Sequence, residues 1–99
     1  MGDGRYISDM HLRFYLDPKS DDPHIHEHSV DEHEVYEAIV NQVEDVPGKK
    51  PMRLLIGVTN GGRWLRIVYK PENDGYFVIT AYDLPPKQKK ALNRRVRKH

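Results

Sequence analysis

Apolar and polar residues alternate in short runs along most of this chain, and one stretch follows a helical period instead. His11 to Leu16 (HLRFYL) alternates, with Leu12, Phe14 and Leu16 on one face and Arg13 and Tyr15 on the other, as in a short strand. Asp17-Pro18 breaks the pattern, and Asp21 to Pro23 is a turn-rich loop. From Val30 the period lengthens. Val35, Ile39 and Val43 recur every four residues, flanked by Tyr36 and Val40, with Glu32, Glu34, Glu37 and Glu44 mostly outward. Asp31 and Glu34 have the spacing of a capping box, and Val30 with Val35 that of a hydrophobic staple. A helix over about 31–45 follows, ended by Pro47-Gly48.

Beyond Gly48 the short period returns. Arg53 to Thr59 (RLLIGVT) and Arg63 to Lys70 (RWLRIVYK) flank Asn60-Gly61-Gly62, residues that accept positive φ at little cost and so signal a hairpin. Pro71 to Gly75 turns again, and Tyr76 to Tyr82 (YFVITAY) is apolar enough for a strand with neighbours on both sides. Pro86 suits a first helical position, so the tail KQKKALNRRVRKH reads as a short basic helix. Only Ala91, Leu92 and Val96 offer it an apolar anchor, which fits a segment ordered on binding. The expected fold is α+β: an antiparallel meander of three to four strands, one main helix and a basic C-terminal helix. Residues 1–10 read as a flexible arm, and 11–99 as a single domain with a basic tail over 86–99.

Charge divides the chain. Residues 1–50 hold 5 Lys/Arg against 12 Asp/Glu, and residues 51–99 hold 11 against 3. The second half therefore suits a polyanion partner, although two solvated faces that neutralise one another would look the same. There is no cysteine, so disulfides and thiolate metal sites are excluded. Met1 to Met10 lacks the character of a signal peptide, and no apolar run is long enough to cross a bilayer. A soluble, cytoplasmic protein without a membrane partner is expected. Ser8, Ser20 and Ser29 lie in polar contexts, and Gly61-Gly62 has no following helix, which disfavours a nucleophilic hydrolase or a phosphate loop.

Four groups carry candidate chemistry. His24, His26 and His28 alternate, and in an extended segment they would share one side and suit zinc or nickel. The converging further ligands are not identifiable, so a polar loop with one packed or catalytic histidine is preferred, and no metal or cofactor is expected. Arg53 and Arg63 start opposite ends of the hairpin, and Arg66 faces away from Arg63. An arginine on a sheet can clamp a phosphate bidentately, or can be a solvated charge. Tyr82 can stack on a base or seal a sheet edge. Lys87, Lys89, Lys90, Arg94 and Arg95 are candidates for RNA binding together with Arg66. Trp64 reads as core.

The order of these segments resembles a family. His24 to Ile39 is similar to the K-H-x-V-x-x-x-E-A helix start of BrnT-like toxins, of the RelE/ParE superfamily. Arg53, Gly57, Thr59, Gly62, Arg63, Leu65, Val68 and Tyr69 fall on their R-x-x-x-G-x-T-x-x-G-R-x-L-x-V-V-Y hairpin. Val78 to Tyr82 resembles their last strand, but Tyr82 stands where the family has arginine. The resemblance implies a type II toxin–antitoxin module: a metal-independent endoribonuclease, neutralised by a DNA-binding antitoxin, cleaving RNA by attack of a 2′-hydroxyl. It assigns His28 to acid–base work, Arg53 and Arg63 to charge stabilisation, and Tyr82 to orientation. The alternative is a non-catalytic RNA- or protein-binding module on the same fold.

Overall fold

The computed structural model describes residues 11–97, with side chains as far as Arg94; the arm expected over 1–10 lies outside the described residues. Five strands form one mixed sheet: β1 (His11–Phe14), β2 (Gln42–Pro47), β3 (Arg53–Val58), β4 (Trp64–Glu72) and β5 (Gly75–Asp83). Their order is β1-β5-β4-β3-β2, antiparallel throughout except that β1 runs parallel to β5. The expected meander is β3-β4-β5. The short strand expected over 11–16 is the edge β1, and only the other edge, β2, comes from residues read as helix.

Helix α1 (Glu32–Val40) opens as the sequence predicts: Asp31 accepts from the Glu34 backbone N–H at 2.8 Å, and the Glu34 carboxylate accepts from Asp31 N–H at 3.1 Å. It ends one turn early. Residues 42–47 pair with β3 as β2 rather than continuing the helix to 45. Backbone pairing to a neighbouring strand wins over a weak i+4 pattern, since β-branched Val43 and Val46 suit either element. Asn41 marks the changeover, its Nδ2 donating to Val58 O and Asn60 Oδ1, both at 3.0 Å. The first strand is also shorter than its alternation suggests: Leu12 and Phe14 reach the core, but Leu16 is 50% exposed.

Strand alternation divides the interior in two. On one face Leu55, Leu65, Ile67, Tyr69, Val78 and Ala81 pack with Val35, Ala38 and Ile39 of α1 and with Ile25 and Val30. Gly57 permits this approach, because a Cβ there would lie 1.9 Å from the Ala38 carbonyl oxygen. On the other face Ile56, Leu84 and half-buried Trp64 receive Leu92 of helix α2 (Pro86–Arg97). The basic tail is thus docked on the sheet by one fully buried leucine. Val96 lies where side chains are outside the described residues.

The histidine-rich segment is not extended. His24–His28 forms a 3-10 helix that starts after Pro23 and closes on Ser29 at φ 58°. At three residues per turn, positions i and i+3 eclipse, so the three histidines do not share one side: His26 turns away to Glu32, while the His24 and His28 rings lie 5.8 Å apart.

Candidate nucleic-acid interface

The end of the sheet where β3 turns into β4 gathers most of the expected chemistry. Arg63 occupies its centre as a clamp. Its Nε donates to Asp83 at 2.7 Å, and its Nη1 donates to Glu34 at 3.0 Å and to the Ser29 carbonyl at 2.8 Å. Its Nη2 reaches Asp83 and the His28 carbonyl, both at 3.3 Å. The Asp83 and Glu34 carboxylates push the guanidinium's pKa further up, and in return Arg63 holds the Asp83 carboxyl below the usual carboxylate range. With two carboxylates on it, Arg63 has little charge left for a phosphate.

Arg53 sits at the opposite end of the β3–β4 ladder, five residues from that turn, or about 17 Å at ~3.4 Å per residue. It too is engaged, its Nε donating to Asp45 Oδ1 at 2.9 Å and Nη2 to Asp45 O at 3.1 Å. Tyr69 completes this staple by donating its hydroxyl to Asp45 Oδ2 at 2.6 Å. Burial and the adjacent carboxylate push the Tyr69 phenol up to about 12. The structure therefore separates the two hairpin arginines, and each binds carboxylate within the fold.

The residues it does bring together form a different row. The exposed His28 ring meets half-buried Tyr82 edge-on, with centroids 5.7 Å apart. Tyr82 is the cross-strand partner of Arg66, so both side chains leave the sheet on one face. Arg66 Nη1 donates to Gln88 Oε1 of α2 at 3.0 Å, and no carboxylate among the described residues pairs with it. It also lines a groove of about 200 Å³ between the sheet and α2, with Glu44, Val46, Leu54, Ile56, Gln88 and Ala91. The His28 ring makes no hydrogen bond among the described residues, which leaves both nitrogens open to an incoming group.

Helix α2 extends the row. Lys87, Lys89, Lys90 and Arg94 are exposed and none of them is ion-paired among the described residues; the Arg95 side chain lies outside those residues. Lys89 Nζ lies 5.5 Å from the Trp64 ring centroid, a cation over an aromatic face. Trp64 is thus half core and half platform. The arrangement offers an imidazole, a phenol, a guanidinium without an ion pair among the described residues, and a basic helix.

Sequence reasoning named Arg66 among the RNA-binding candidates but not as the cross-strand partner of Tyr82, which strand register gives. It also missed that Glu34 and Asp83 take Arg63. Glu34 was legible as a capping residue, but its second partner is 29 residues away in the chain and left no local signal. No helix among the described residues is long and apolar enough to cross a membrane.

A family model described as a domain of unknown function, DUF4258, matches residues 24–83. The match runs from the 3-10 helix to the end of β5, and so includes His28, Arg53, Arg63, Arg66 and Tyr82. No curated protein and no solved structure matches the chain.

Proposed function

The chain belongs to the DUF4258 family, and for this member we propose a metal-independent endoribonuclease of the toxin–antitoxin kind, with His28, Tyr82 and Arg66 at its centre. The observation that carries the reading is the row from the His28 ring through Tyr82 to Arg66, which has no carboxylate partner among the described residues, leading onto a helix whose described cations are not ion-paired among those residues. The motif order resembling BrnT-like toxins supports it, and a DNA-binding antitoxin is the partner that this resemblance suggests.

The chemistry assigns each residue one task. Lys87, Lys89, Lys90 and Arg94 hold RNA phosphates. Tyr82 stacks on or orients a nucleotide. His28 accepts the 2′-hydroxyl proton as that oxygen bonds to the adjacent phosphorus. Arg66 stabilises the phosphorane charge, the bond to the 5′-oxygen breaks, and that oxygen takes a proton from solvent. The products are a 2′,3′-cyclic phosphate and a 5′-hydroxyl. Arg63 and Arg53 fall outside this step, because each is neutralised within the fold.

The test is end-group analysis of RNA exposed to the purified protein. Cyclic phosphate ends are expected, with the rate falling about 10²–10⁴-fold in His28→Ala and by a similar factor in Arg66→Ala. Arg53→Ala should cleave at the parent rate. An undiminished rate in His28→Ala, or products lacking the cyclic phosphate, overturns the mechanism.

A second reading, a non-catalytic RNA-binding module, is favoured by one observation: both hairpin arginines are ion-paired, whereas Lys87, Lys89, Lys90 and Arg94 are not ion-paired among the described residues. It shares the binding prediction. Lys87, Lys89 and Lys90 changed together to Gln should reduce the salt dependence of single-strand RNA binding by about 2 in the log–log slope, at ~0.7 per phosphate contact.

A further inference from the structure

The 3-10 helix and the loop before it bring three further groups together, next to the His28 end of the row. Asp17, His24 and Glu27 each offer one ligand atom, and those atoms all lie within 4.8 Å of one another, so a small closing movement would bring them onto one ion. The helix type explains part of this. His24 and Glu27 are three apart, so at three residues per turn they stack on one side, whereas His26 turns away to Glu32 at 2.8 Å.

Asp17 is fixed before any ligand arrives. It is buried, its Oδ1 accepts the Lys19 backbone N–H at 2.9 Å, and its own backbone N–H donates to Asp22 O at 2.8 Å. That leaves Oδ2 facing His24 Nδ1 at 3.6 Å. This separation is too long for a direct hydrogen bond. It is close to the about 3.3–3.4 Å between neighbouring ligands of a tetrahedral ion bound at ~2.0–2.1 Å. The charge also balances, since two carboxylates and a neutral imidazole carry −2 against a divalent cation. Burial falls from Asp17 through half-buried His24 to exposed Glu27, so the open side faces solvent, where water can complete the coordination.

We infer that Asp17, His24 and Glu27 form a three-ligand site for a divalent transition metal, with the imidazole favouring Zn²⁺ over Mg²⁺ or Ca²⁺. The ion crosslinks the loop to the 3-10 helix and takes no part in RNA cleavage. It holds the helix that carries His28, whose ring lies 5.8 Å from that of His24. This inference goes beyond the ribonuclease reading and does not depend on it.

The experiment is calorimetric titration of the full chain, stripped with chelator, with Zn²⁺ and separately with Mg²⁺, in the absence of RNA. One Zn²⁺ per chain is expected, with Mg²⁺ binding at least tenfold more weakly (roughly, from the ligand preferences). His24→Gln and Glu27→Gln should each weaken Zn²⁺ binding by more than the about 10–100-fold attributed to outer-shell partners. His26→Gln should bind like the parent. Glu27 is exposed, so Glu27→Gln is expected to fold whatever becomes of His24→Gln, and circular dichroism checks both. Absence of saturable one-to-one binding, equal affinity for Mg²⁺, or binding kept in Glu27→Gln but lost in His26→Gln overturns the site.

Discussion

Replacing Arg63 with alanine separates the two roles that this arginine can have. As a free phosphate-binding cation it would matter to chemistry and little to folding; as the clamp described above it matters mainly to folding. Its side chain is 27% exposed and contacts two carbonyls and two carboxylates. Net, a hydrogen bond contributes about 1 kcal/mol, and solvent-screened ion pairs about 0.2–1 kcal/mol. The pair with Asp83 belongs at the low end, since that carboxylate is 67% exposed. The His28 carbonyl contact at 3.3 Å is long and also counts for less. Allowing for non-additivity within one cluster, the loss is about 2 kcal/mol. For a chain of 99 residues, each kcal/mol shifts Tm by about 4–8 °C, so Arg63→Ala should melt about 8–16 °C below the parent. Thermal denaturation followed by circular dichroism reads this directly. The Asp83 carboxyl lies below its ordinary 3.8 when folded, so the Arg63–Asp83 coupling is present in full above about pH 4 and is lost as pH falls through the lowered value. A double-mutant cycle repeated at falling pH from ~7 should show that loss once the pH passes below the lowered value. A Tm within about 2 °C of the parent, together with abolished cleavage, would refute the clamp and return Arg63 to the chemistry.

Three further outcomes follow from the packing and the charges. Gly57→Ala should abolish folding, because the new methyl would meet the Ala38 carbonyl oxygen at 1.9 Å and α1 cannot retreat without opening the core; soluble expression and near-ultraviolet circular dichroism would show it. Leu92→Ala removes the buried anchor of α2 and should cost about 2–3 kcal/mol, with amide exchange in α2 rising toward that of an undocked helix; unchanged protection would contradict the docking. His26 is held above its ordinary 6.5 by its hydrogen bond to Glu32, so the pair stabilises the fold fully below about pH 6.5 and ceases to as pH rises through the elevated value. A proton NMR titration of His26 should move down in Glu32→Gln, and an unmoved titration would dismiss the pairing.

The legible part of this fold was local. Capping at Asp31 and Glu34, the Asn60-Gly61-Gly62 turn and the apolar runs of β3 to β5 all write their geometry into neighbouring residues. Residues 42–47 did not, since valines at i and i+3 fit either element, and β3 as a neighbour decided between them. β1 was legible as a strand but not as a parallel one, because nothing in HLRF names a partner 64 residues away. At the candidate site, the residue types were legible and their grouping was not. Arg63 and Arg66 look equivalent in sequence; what distinguishes them is that Glu34 and Asp83 reach one and not the other. His24 and Glu27 became neighbours only because the segment coils into three residues per turn.

The parallel placement of β1 also sets an order of events. β3, β4 and β5 close through short turns, whereas pairing His11 with Gly75 in a still-open chain closes a 64-residue loop. By loop entropy that step costs about 2 kcal/mol more than closing the six-residue span from Val58 to Trp64. During synthesis the first strand and the 3-10 helix leave the ribosome well before β5 exists to receive them. His28 therefore waits for Tyr82, and the row they share is assembled only once the second half of the chain has emerged. A nascent or truncated chain ending before β5 holds the histidine without its surface, so whatever activity resides there belongs to the finished molecule alone.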